Sequence, residues 1–173
     1  MKKTSTLRLV LAGLFTAMGV GLPIAFHALS LSGTIFLPMH IPVLLCGIVC
    51  GWKYGMITGI IVPIISSFLT GMPPLYPVGA AMALELAAYG TFIGILSRRM
   101  NIIAALLGAM LGGRVVLGIS NVVLMGLAGK SYTFSAFISG AFVTAFPGII
   151  LQLVLIPSIY LILEKNKLLD KAV

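Results

Sequence analysis

Two charges, Glu85 and Arg114, sit inside long apolar stretches of a 173-residue chain that otherwise keeps charge out of them. An ionisable group at bilayer depth costs about 2.5 to 3.5 kcal/mol on insertion scales, so it normally lines a cavity or meets a partner. Glu85 lies 12 residues before Ser97, where its stretch ends, and Arg114 lies 13 residues after Asn101, where the next begins. At about 1.5 Å of rise per residue, both stand roughly 18 to 20 Å above the same membrane face. Opposite charges at one depth on consecutive antiparallel helices can meet. One chemistry for them is a structural ion pair that locks two helices. The other is a polar binding site inside a bundle, in which the Arg114 guanidinium offers a carboxylate a planar fork of donors.

Other polar positions extend the second reading. Tyr89 is four residues from Glu85 and shares its helix face. Asn121 is seven from Arg114, on nearly the same face about 10 Å further along. Thr144 and Gln152 are also intramembrane. Met39 and His40 start the second apolar stretch and are expected at its outer edge; together these positions outline a pocket between the later helices, open outward, with His40 among its candidate ligand contacts. The segment 70–77, TGMPPLYP, holds three prolines that fix φ and remove donors, giving a stiff loop whose Met72 and Tyr76 can cover a pocket from outside. Catalytic signatures are missing: there is no Walker A loop, no GxSxG and no HExxH. The reading is therefore a non-enzyme with no catalytic residue and no cofactor. Cys46 and Cys50 stand four apart with no flanking ligand set, so they read as small packing residues rather than a metal site.

The elements that must position these residues are apolar helices. The chain is 60% hydrophobic and 8% charged, against about 25% charged in a soluble domain. It reads as one all-α integral membrane domain over residues 1–173. Six stretches stand out, at 7–27, 36–51, 54–69, 77–96, 102–127 and 134–163. A span needs about 17 to 25 residues, so the second and third are short. Two true spans are preferred to a re-entrant pair because Trp52, Lys53 and Tyr54 between them resemble an interfacial anchor. The basic start before the first stretch is read as part of a retained helix, since the apolar run exceeds a signal h-region and more spans follow.

Orientation follows from the basic residues. With the N-terminus inside, Lys2, Lys3, Arg8, Lys53, Arg98, Arg99, Lys165, Lys167 and Lys171 are cytoplasmic and only Lys130 is outside. The expectation is a multi-pass plasma-membrane protein with both termini cytoplasmic. Its net charge of +8 is topogenic, and nucleic acid is not a partner.

Small residues recur four apart: Gly13, Ala17 and Gly21; Gly47 and Gly51; Gly55 and Gly59; Gly90 and Gly94; Gly108 and Gly112. Such faces let helix backbones approach closely in lipid. Most are expected to be internal packing, while the first series could instead dock an external helix. The spacing does not separate these uses.

The segments PMHIPVLLCGIVCGWKYG (38–55), PIISSFLTGMPPLYP (63–77) and MALELAAYG (82–90) closely resemble the substrate-binding S components of energy-coupling factor (ECF) transporters. GGRVVLG (112–118), FSAFISGAF (134–142) and AFPGIILQLVLIP (145–157) continue the resemblance over nearly the whole chain. It implies a six-helix, riboflavin-transporter-like fold. It also implies a subunit that captures a micronutrient outside, associates with a membrane T component and two cytoplasmic ATPases, and reorients bodily to release its ligand. S components typically carry an Ala-xxx-Ala docking pattern on the first helix. Here the nearest match is Gly13-xxx-Ala17, extended to Gly21, with Ala12-xxx-Thr16 beside it.

A rival of another class is a self-sufficient secondary transporter or channel with Glu85 as its protonatable group, disfavoured by the lack of evident inverted repeats. A structural or assembly membrane protein comes third. The acid, base, amide, tyrosine and methionine of the inferred site suit a small water-soluble vitamin. Pantothenate is the first choice, with pyridoxine-like compounds and cobalamin precursors such as α-ribazole also open.

Overall fold

The computed structural model describes residues 3–30 and 33–166, so the basic positions Lys2, Lys167 and Lys171 and part of the connection 28–35 lie outside the described residues. The chain is all-helical there. In order come α1 (Lys3–Ala28), α2 (Gly33–Phe36), α3 (His40–Cys50), α4 (Trp52–Thr70), α5 (Ala80–Leu96), α6 (Ile102–Leu127), α7 (Phe134–Ile138) and α8 (Phe146–Lys165). Wide turns at Leu75–Gly79 and Ser139–Thr144 lead into α5 and α8. Helices satisfy their backbone groups internally, as lipid requires. Their ends are marked locally: Asn101 caps α6 by accepting from the Ala104 amide at 2.8 Å, and Gly71 closes α4 in the left-handed conformation.

Among the described residues, five helices are long and apolar enough to cross a membrane: Thr6–Ala28, Trp52–Thr70, Leu75–Leu96, Ile102–Leu127 and Phe146–Lys165. Two of the six expected spans are therefore revised. The stretch 36–51 contains a break: Leu37 has φ +52, a region that a side chain on Cβ disfavours, and Pro38 follows. The helix restarts only at His40, leaving α3 eleven residues long, about 16 Å or half a membrane. The stretch 134–163 divides where the wide turn Ser139–Thr144 meets Pro147 in the first turn of α8. It becomes a short apolar segment, Phe134–Thr144, and one true span.

α3 is the centre of the molecule. All eleven of its residues are buried, as expected of a helix apolar on every side. α1, α4, α5 and α8 pack around it. Gly51, with φ +93, turns the chain tightly from α3 into α4, and only glycine adopts that conformation without strain. On the other side α5 packs against α6.

Candidate functional site

Glu85 and Arg114 meet. Arg114 Nη1 donates to Glu85 Oε1 at 2.7 Å, and the two residues are 2% and 5% exposed. The depth count from Ser97 and Asn101 placed them at one level, and the antiparallel packing of α5 on α6 closes the remaining distance. A charge-assisted bond of this length is among the stronger hydrogen bonds.

His40 was expected at a membrane edge, and the structure corrects this. It is fully buried, with Nε2 3.6 Å from Glu85 Oε1 and its ring edge-on to Tyr89 at 5.0 Å between centroids. The physical reason is the break at Leu37. Because α3 begins only at His40 and turns at Gly51, residue 40 lies eleven positions from the turn, at nearly the depth of Glu85. Irregular backbone at such depth is tolerated where protein buries it or it lines a cavity. Tyr89 is also fully buried, its ring against Gly113. Glu85, Arg114, His40 and Tyr89 thus form one cluster drawn from α3, α5 and α6.

That cluster is polar but incompletely bonded. Among the described residues, both ring nitrogens of His40, the Tyr89 hydroxyl and Arg114 Nη2 have no hydrogen-bond partner. The same holds for both amide atoms of Gln152 on α8, a residue noted as intramembrane but left out of the site on sequence grounds. Buried polar groups are nearly always satisfied, so these atoms are unusual for their surroundings. Arg114 also lines a cavity of about 140 Å³ with Leu107, Met110, Leu111, Phe142 and Ile149. A second groove of about 470 Å³ runs along α6 beyond it, from Val115 to Tyr132 and Phe137.

Asn121, Tyr76 and Met72 stand apart from the charge pair. Asn121 Nδ2 donates to the Tyr132 hydroxyl at 3.4 Å. Burial raises the Tyr132 phenol's pKa above its ordinary value, so the hydroxyl stays intact at neutral pH. Tyr132 carried no signal in the sequence beyond its position in a loop. Met72 and Tyr76 are half exposed. Tyr76 donates to the Leu124 carbonyl at 3.1 Å, tying the proline loop to α6. The Met72 carbonyl accepts from Ser66 at 2.9 Å and from Thr70 at 3.1 Å, and Ser67 donates to the Pro73 carbonyl at 2.6 Å. The loop is held from within. On α1, Gly13, Ala17 and Gly21 are all exposed.

A bundle of apolar helices of membrane-crossing length around a buried charge pair defines a polytopic membrane protein. The sequence model of the family "ECF transporter, substrate-specific component" matches residues 7–160, and the chain belongs to that family. It is accordingly a substrate-binding subunit of a membrane transport system. No curated protein and no solved structure matches it.

Proposed function

We propose that this chain captures a small water-soluble vitamin at the cluster of Glu85, Arg114, His40 and Tyr89 and hands it inward with energy from partner subunits. The carrying observation is a buried 2.7 Å ion pair surrounded by polar atoms without partners and bordering a cavity. Pantothenate, pyridoxine-like compounds and α-ribazole are the candidate ligands. The cavity beside Arg114 is smaller than the roughly 300 to 1,000 Å³ of ordinary ligand pockets. Admitting a vitamin therefore requires Phe142 or Ile149 to move aside. Phe142 belongs to the segment Phe134–Thr144, in which Ala141 is the single buried residue, so that wall has the least packing to lose.

The partners are a T component and two ATPase subunits, docked on the exposed face of Gly13, Ala17 and Gly21. Both termini are cytoplasmic and Lys130 is outside. This requires six crossings, α2 and α3 together forming a broken one. Half-helices that end near the bilayer midplane commonly build transporter sites, and His40 opens such a half-helix here.

Reconstitution into vesicles tests this. Uptake of the bound vitamin should require the T component, both ATPases and ATP. Uptake by the chain alone would instead favour the self-sufficient transporter with Glu85 as its protonatable group. In the same vesicles, a cysteine at position 130 reactive only from the cytoplasmic side would overturn the orientation.

A further inference from the structure

We infer that the ligand carries no net charge and meets the site through hydrogen-bond acceptors. This rests on the capture reading above. The chain has three acidic residues, Glu85, Glu164 and Asp170; of the two among the described residues, Glu164 is exposed and Glu85 is buried. Arg114 is its match, and these two close on each other at 2.7 Å. The pair is therefore already neutral. A ligand carboxylate can reach Arg114 only by displacing Glu85 or by adding a second negative charge beside it. His40 Nε2 stands 3.6 Å from the same carboxylate oxygen, and among the described residues no second acid is buried with it. An uncompensated charge at this depth weakens binding about 100-fold, judged from membrane insertion scales.

The atoms left over describe the ligand's edge. Arg114 Nη2 is a donor without a partner, the Tyr89 hydroxyl is free to donate, and one His40 nitrogen carries a proton. Donors predominate, and the cavity wall around Arg114 is otherwise apolar. A carbonyl, hydroxyl or ring nitrogen satisfies these groups without disturbing the ion pair. This inverts the order drawn from the guanidinium alone. Pyridoxine, which carries no net charge at neutral pH, and uncharged α-ribazole fit better than pantothenate, because a carboxylate on the remaining Arg114 Nη2 would stand as a second negative charge beside Glu85.

The test is retention from a defined mixture. The purified chain in detergent is incubated with water-soluble vitamins that include matched pairs differing in a carboxylate: pantothenate with panthenol, and nicotinate with nicotinamide. After gel filtration and denaturation, released compounds are identified by mass spectrometry. The wild type should release a compound of zero net charge. In Glu85→Gln, where Arg114 is left unbalanced, retention of carboxylates relative to uncharged partners should rise at least tenfold. Release of an anion by the wild type would overturn the inference and leave the capture reading standing. Release of nothing would overturn the capture reading, and this inference with it.

Discussion

Along α1, Gly13, Ala17 and Gly21 are spaced four apart, and so are Gly47 on α3 and Gly51 in the turn after it, Gly55 and Gly59 on α4, and Gly90 and Gly94 on α5. A methyl group at Gly13 or Gly21 would meet nothing within 4 Å. At Gly47 it would stand 2.6 Å from the Gly90 carbonyl oxygen, at Gly55 2.7 Å from the same atom, and at Gly94 2.6 Å from Trp52 Cα. At Gly59 and Gly90 it would run into the backbones of Leu86 and Gly55. One spacing thus serves two purposes. In the inner seam, glycine lets three backbones touch and fixes the depth at which α3 starts and Glu85 sits. On α1 the small residues leave a shallow face that no described part of the chain covers. Close approach without a hydrophobic drive is how helices associate in lipid. A face left open in this way suits a partner helix.

The sharpest way to break this contrast is to add one methyl group to each side. Gly90→Ala should destabilise the protein by roughly 3 kcal/mol, the upper end for overpacking, because backbone rather than a flexible side chain stands in the way. Gly13→Ala should be neutral or stabilising by up to about 1 kcal/mol, since alanine is the better helix former. Thermal unfolding in detergent measures both. Equal losses would mean that the α1 face is packed after all.

Ala17→Leu separates docking from capture. ATP-driven uptake in the reconstituted complex should fall at least tenfold, while ligand affinity of the isolated subunit stays within about twofold. Loss of affinity as well would reassign the face to internal packing.

The smallest expected effect concerns the proline loop, which belongs to neither stripe. Replacing Pro73 and Pro74 with glycine lengthens the list of conformations the loop must give up. The bonds from Ser66, Ser67 and Thr70 to its carbonyls remain. Dissociation should therefore quicken only about threefold, read by stopped-flow or surface plasmon resonance. Unchanged association and dissociation rates would make the loop a connector and remove Met72 and Tyr76 from the site.

Helical content and the meeting of Glu85 with Arg114 were legible in the chain, because both follow from counting residues along regular helices. His40 was not. Its depth depends on a backbone break at Leu37, and an apolar residue before a proline looks the same whether the helix continues past it or restarts after it. The division of the last stretch at Ser139–Thr144 was hidden for a similar reason, since its residues remain apolar through the turn. The two glycine stripes were visible as stripes, but which one is filled depends on tertiary neighbours that spacing does not encode. Gln152 stood out as polar, yet nothing in the sequence indicated that its amide would be buried without a partner.

Whether the buried pair recognises ligand or merely locks α5 to α6 is decided by one set of measurements. Affinity for the retained compound and melting temperature are compared for Arg114→Ala, Glu85→Gln and the charge-swapped double variant, Glu85→Arg with Arg114→Glu. Arg114→Ala should lower affinity at least 100-fold, as expected when a charged hydrogen-bonding group is lost and its partner stays buried. Glu85→Gln should be milder, because Arg114 remains to meet the ligand. The swap should restore much of the melting temperature but leave affinity at the level of Arg114→Ala, since the donors then face the wrong wall. Recovery of stability and affinity together in the swapped variant would show that the pair is structural and that Arg114 does not recognise the ligand.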